Sequence, residues 1–267
     1  MDVLTLVSAA VALVSASMAA LLGYWQQRRL RTMEQRSLMD TYGASLAWAA
    51  FDLQSRLFNI LHGHALDSSG GPGKGFITAF LTDGTAEEAE YVRRSTVFVL
   101  AEYLGWVEIL RRDVRFLDLG RTATNRDVMV KISDIGASLS FAHEPGPGGN
   151  PSVGNELRLF RVHQRAIGEL MVHPEGEPGR RRCLGYVEFC AKLEADDGFR
   201  RWFAQPLADI DRLAADTRPA VARLEVMQKQ LIALVDLLDP TAERFPRSRQ
   251  LFHGAQHLGA GAASLPD

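Results

Sequence analysis

Cysteine is nearly absent from this chain. The two present, Cys183 and Cys190, exclude a disulfide framework and leave no way to write a paired Cys-x-x-Cys zinc site. On one helix they would stand about 10 Å apart along the axis, too far for a bridge. Lysine is almost as scarce, with four against 26 arginines, and the formal net charge of −2 offers none of the basic surplus that nucleic acid attracts. Apolar and polar residues never alternate over a useful length, which excludes a sheet protein. Composition is otherwise that of an ordinary folded chain, 46% hydrophobic and 23% charged, so collagen and general disorder are excluded too.

Charge is missing altogether from residues 3–25, VLTLVSAAVALVSASMAALLGYW. As a helix that run would extend roughly 34 Å at about 1.5 Å per residue, enough for a hydrocarbon core of about 30 Å. Tyr24 and Trp25 end it where an interfacial aromatic belt belongs, and Arg28, Arg29 and Arg31 follow directly. This excess of arginine after the run predicts a single-pass membrane protein with its N-terminus outside and its body in the cytoplasm. Two other readings exist. Ser17-Met18-Ala19 is an acceptable signal-peptide cleavage site, but no Lys or Arg precedes the run and apolar residues continue past the site. A buried core helix would be shorter and would carry a polar face. The arginines also suit anionic headgroups. Ser15, Ala19 and Gly23 make a small-residue row of the kind that lets membrane helices associate.

Beyond the run, apolar residues recur at three and four. Leu46, Ala50, Leu53, Leu57 and Ile60 or Leu61 predict a helix over residues 40–66, with a break near Gly43. A Gly-rich loop fills residues 67–75. Thr85 and Glu88 form a capping-box signature that opens a central helix extending to about Leu117. Asn125 should cap the next, with Val128, Ile132, Ile135 and Leu139 inside. Residues 155–172 place Leu157, Phe160, Ile167 and Leu170 or Met171 on one face. Helices follow over 183–194 and over 199–215, the second kinked or split by Pro206. Thr217 should cap the last, where Leu224, Met227, Leu231, Leu234 and Leu238 repeat until Asp239-Pro240. The fold class expected is all-α: a transmembrane anchor (1–25), a basic juxtamembrane segment with the first cytoplasmic helix (26–66), a helical bundle (67–240) and a disordered Gly/Ala/Ser tail (241–267).

The stretch RRLRTMEQRSLMD leading into AAFDLQSRLFNIL, residues 28–61, resembles uncharacterised bacterial single-span proteins with a helical cytoplasmic domain. The resemblance is one of organisation and implies no activity.

No motif names a reaction. In Gly70-Gly-Pro-Gly-Lys74-Gly75, Ser68 stands where a phosphate loop needs its first glycine and Gly75 where it needs Ser or Thr. His253 and His257 sit one helical turn apart, as zinc ligands do, but lack the Glu of a metalloprotease motif. Glu102 and Glu108 lie in a helix so apolar that each carboxylate needs a partner or a task. For Glu108 the partner is Arg112, at ion-pair spacing; for Glu102 an arginine across the bundle is expected. No cofactor and no nucleic acid is expected, and the partners expected are the bilayer, a second copy or a cytoplasmic protein. Two functional classes stay open: a membrane-anchored interaction or regulatory module, and a membrane-tethered enzyme or small-ligand sensor built on Glu102 or Glu108.

Overall fold

The stripe Leu46, Ala50, Leu53, Leu57 and Ile60 is buried on the first helix of a computed structural model that describes residues 3–62, 76–113, 123–141 and 155–246, with the side chains of 3–11, 28–41, 76 and 123–125 left outside the description. Arg28, Arg29, Arg31, the expected Asn125 cap, the loop at Lys74, His253 and His257 therefore have no described side chains. Helix α1 is Val3–His62 and runs through Gly43 without the expected break. The chain divides there nevertheless, into compact units Met1–Gly43 and Ala44–Asp267. Among the described residues no helix is long and apolar enough to cross a membrane, against the expectation for residues 3–25, whose described side chains begin at Ala12.

The second unit is all-helical; among the described residues there is no strand, only one antiparallel bridge between Val172 and Cys183. After α1 come α2 (Phe76–Thr82), α3 (Ala86–Asp113), α4 (Ala123–Ser140), α5 (Arg161–Met171), α6 (Tyr186–Ala195), α7 (Asp197–Ala215) and α8 (Val221–Leu238). Helix α3 is central and meets α2, α5, α6 and α7, while α4 pairs with α8. It begins with the capping box that its sequence predicts: the Thr85 amide donates to Glu88 Oε2 at 2.7 Å, and the Glu88 amide to Thr85 Oγ1 at 3.2 Å. Phe189, Phe199 and Phe203 pack edge to face or tilted where α6 meets α7, with centroids 4.8–5.8 Å apart, a spacing that suits ring quadrupoles.

Four expectations are corrected. Pro206, expected to kink or split α7, does not split it. It has no N–H for the Trp202 carbonyl four residues back, and His163 Nε2 takes that place, 3.1 Å from the Trp202 oxygen. Thr217 does not cap α8, since its hydroxyl donates back to the Leu213 carbonyl and the Arg218 amide goes to Asp216 Oδ1. Residues 155–160 stay outside α5. There Leu157 holds φ 58°, Leu159 fills the core, and Phe160 points outward. The tail is folded at its start: Asp239 accepts the amides of Glu243, Arg244 and Phe245, and the Phe245 ring stacks on Phe51 at 4.3 Å. Residues 247–267 lie outside the description.

Candidate functional site

The two carboxylates singled out on α3 meet opposite environments. Glu108 is 3% exposed, and Arg111 and Arg112 converge on it: Arg111 reaches both oxygens at 2.6 and 2.7 Å, and Arg112 Nε reaches Oε1 at 2.6 Å. Burial alone would raise this carboxyl, but the two arginines outweigh it and hold it below its ordinary range. Three hydrogen bonds from arginine keep it ionised, so it carries no proton to donate near neutral pH. Glu108→Ala is expected to cost about 1–2 kcal/mol in urea unfolding. The loss stays below the 3–5 kcal/mol typical of a stranded buried charge because Arg111 and Arg112, 41% and 33% exposed, rehydrate.

Glu102 is half-buried, and among the described residues the groups acting on its carboxyl are Asp52 and Trp106, not an arginine across the bundle. Burial pushes its carboxyl up to about 7, the nearby Asp52 carboxylate of α1 adds to the rise, and a hydrogen bond from Trp106 partly offsets it. Asp52 is raised as well, by burial, against the pull of Arg56 one turn on. Arg56 donates to Ser95 and Thr96 of α3 at 3.2 and 2.9 Å, which ties α1 to α3 beside the carboxylates. On the other side of Glu102, the Cys183 thiol donates to its backbone oxygen at 3.8 Å. Burial, then the Glu102 charge, push that thiol far up, so it is not a nucleophile.

This arrangement can hold or release one proton near neutral pH. The sign is fixed by the two pKa values: the folded state binds the proton more tightly than the unfolded chain, whose ordinary value is 4.5, so stability falls as pH rises from about 4.5 to about 7. Glu102→Gln should therefore gain stability over the parent protein across that window and keep a constant advantage above it. Parallel urea titrations from pH 4 to pH 9 check this; curves that stay parallel throughout would remove the shift.

Among the described residues no group of three His, Cys, Asp or Glu side chains could hold a metal. An open groove of about 360 Å³ between α4 and α8 is lined by Asp127, Val130, Lys131, Ala233, Asp236 and Leu237. Its lysine is already bonded to Gln230 and Asp134, and neither Glu102 nor Glu108 reaches it. Tyr24 and Trp25 are both exposed. Sequence reasoning missed Asp52, whose burial beside Glu102 depends on how α1 and α3 pack. It also missed Arg223, whose three guanidinium nitrogens are buried with no hydrogen-bond partner among the described residues. No family model, curated protein or solved structure matches this chain.

Proposed function

We propose that this chain is a single-pass membrane protein with its N-terminus outside and a helical cytoplasmic body, acting as an interaction or regulatory module at the inner membrane surface. The observation that carries the reading is the uncharged run 3–25. Its described side chains, from Ala12 to Trp25, are all exposed on an unbroken helix, and such a surface suits hydrocarbon better than water. Leu13, Val14, Met18, Leu21 and Leu22 are open, Tyr24 and Trp25 take the interfacial place, and Arg28, Arg29 and Arg31 take the headgroup side. The body supports the module reading through Glu108, whose oxygens are taken up by Arg111 and Arg112 of its own helix.

Alkaline carbonate extraction tests the anchor. The full chain should stay in the membrane pellet and a chain lacking residues 1–27 should move to the supernatant; a full chain released by carbonate would overturn the reading. Association through the small-residue row is tested by Gly23→Leu, because a side chain at Gly23 meets nothing within 4 Å and so leaves the single helix unstrained. A drop in cross-linked dimer is expected.

One observation favours the second class. Glu102 titrating at about 7 beside Asp52 is what a proton-responsive or acid/base site requires. Glu102→Gln separates the two readings in cells: folded protein with function retained supports the module, and folded protein with function lost supports a site.

A further inference from the structure

Between Arg158 and Gly168 the sequence carries three arginines and no Asp or Glu. Folding sorts that segment. Leu159, Gln164 and Ile167 turn inward, while Phe160 and Val162 are 61% and 79% exposed. Phe160 points out because it is the extended N-cap residue of α5 and its neighbour Leu159 takes the core position. Gln164 Nε2 then binds α5 to the end of α4, its two hydrogens shared among Gly136 O, Leu159 O and Ser140 Oγ at 2.7–2.9 Å. The Leu159 amide bonds the Leu139 carbonyl at 2.8 Å. This brings Phe141, 70% exposed, to the same region. Trp202 of α7, 43% exposed, joins it through His163, with ring centroids 5.6 Å apart.

Three arginines accompany these side chains on the same segment. The Arg158 guanidinium lies 5.1 Å from the centre of the Phe160 ring. Arg161 is exposed and anchored by a bond to the Ser133 carbonyl at 2.9 Å. Arg165 is 57% exposed and shares Glu169 at 3.3 Å. Single exposed apolar residues need no explanation; four large ones on three tied elements, with three arginines on the same segment as two of them, do. The sequence alone shows no basic face with interleaved aromatics, because its members come from segments spread over residues 141–202.

We propose that this face docks on a bilayer surface rich in anionic lipid, Phe141, Phe160, Val162 and Trp202 entering the headgroup boundary and Arg158, Arg161 and Arg165 binding headgroup phosphates. The chemistry fits: aromatic rings favour the membrane interface, and each surface arginine adds attraction to an anionic leaflet. The proposal rests on the anchor reading above, which keeps the body beside such a surface. It extends that reading by giving the body its own contact with lipid.

The test uses the full chain reconstituted in phosphatidylcholine vesicles with or without phosphatidylglycerol. A nitroxide is placed at Val162→Cys in a Cys190→Ser background, Cys183 being buried. With phosphatidylglycerol the label should become accessible to oxygen and shielded from a water-soluble nickel complex. In phosphatidylcholine alone, or with Arg161→Glu and Arg165→Glu added, it should return to water. Equal water access in both lipids overturns the proposal, and so does shielding from both reagents, which would mean a protein covers the face. If the chain fails to float with vesicles at all, the anchor is wrong, and co-sedimentation of the free chain with phosphatidylglycerol vesicles still decides the face. Binding weakened at least about tenfold by the two charge reversals supports it; no binding overturns it.

Discussion

Valine at Gly168 is expected to destabilise the body by about 3 kcal/mol or more, and alanine by about 2. A Cβ there would stand 2.6 Å from the Leu104 carbonyl oxygen and 2.9 Å from Glu108 Cβ, and a backbone oxygen inside α3 cannot move aside. The mirror constraint lies on α3 itself, where a Cβ at Gly105 would meet Cys183 Sγ at 2.7 Å and Met171 Cβ at 2.8 Å. The two glycines let α3 and α5 approach closely, and that approach holds Glu102 and Glu108 in their environments. Urea unfolding monitored by circular dichroism measures the loss. Gly168→Ala at parental stability would mean that the helices have room to separate.

Asp209→Ala should cost about 3 kcal/mol. The Asp209 side chain is fully buried, its Oδ2 accepts the Leu157 amide at 2.8 Å, and its other oxygen is bound by Arg212. Removal strands a buried amide, worth about 1–3 kcal/mol, at a residue already in the left-handed region that a leucine enters only at a cost of about 1–2 kcal/mol. Asp209→Asn keeps an acceptor for Leu157 and should lose less than half as much. Hydrogen exchange adds a local readout: amides of residues 157–160 should lose protection in Asp209→Ala before the rest of α5 does. A uniform loss, or none, would show that this carboxylate does not pin the segment.

What the sequence made legible follows from how local each cause is. The buried stripe of α1 and the Thr85–Glu88 box depend on residues three or four apart, and both stand as their spacing predicts. Glu108 likewise has its arginine at the fourth position, although Arg111 at the third binds it as well. Helix α2 leaves no signal in the sequence because its seven residues are too few to establish a period. Cys183 reads as helical by its neighbours, yet it pairs with Val172 across a loop. Pro206 reads as a kink or a split unless His163, 43 residues earlier, is known to meet the carbonyl that proline leaves without an N–H partner. The environment of Glu102 was the least legible, since the acid beside it comes from α1. Phe160 shows the limit of periodicity: its place in the stripe assumes a helix that starts six residues later.

The measurement closest to the central claim is protease protection of the full chain carrying a C-terminal tag. Fractionated cells should hold the tag in the membrane at full length. Protease added outside intact cells should leave it uncut, and protease added after the cells are opened should remove it. A shortened, tagged protein released outside the cells would mean that residues 1 to about 19 are cleaved as a signal peptide, and would contradict both the anchor and the cytoplasmic body.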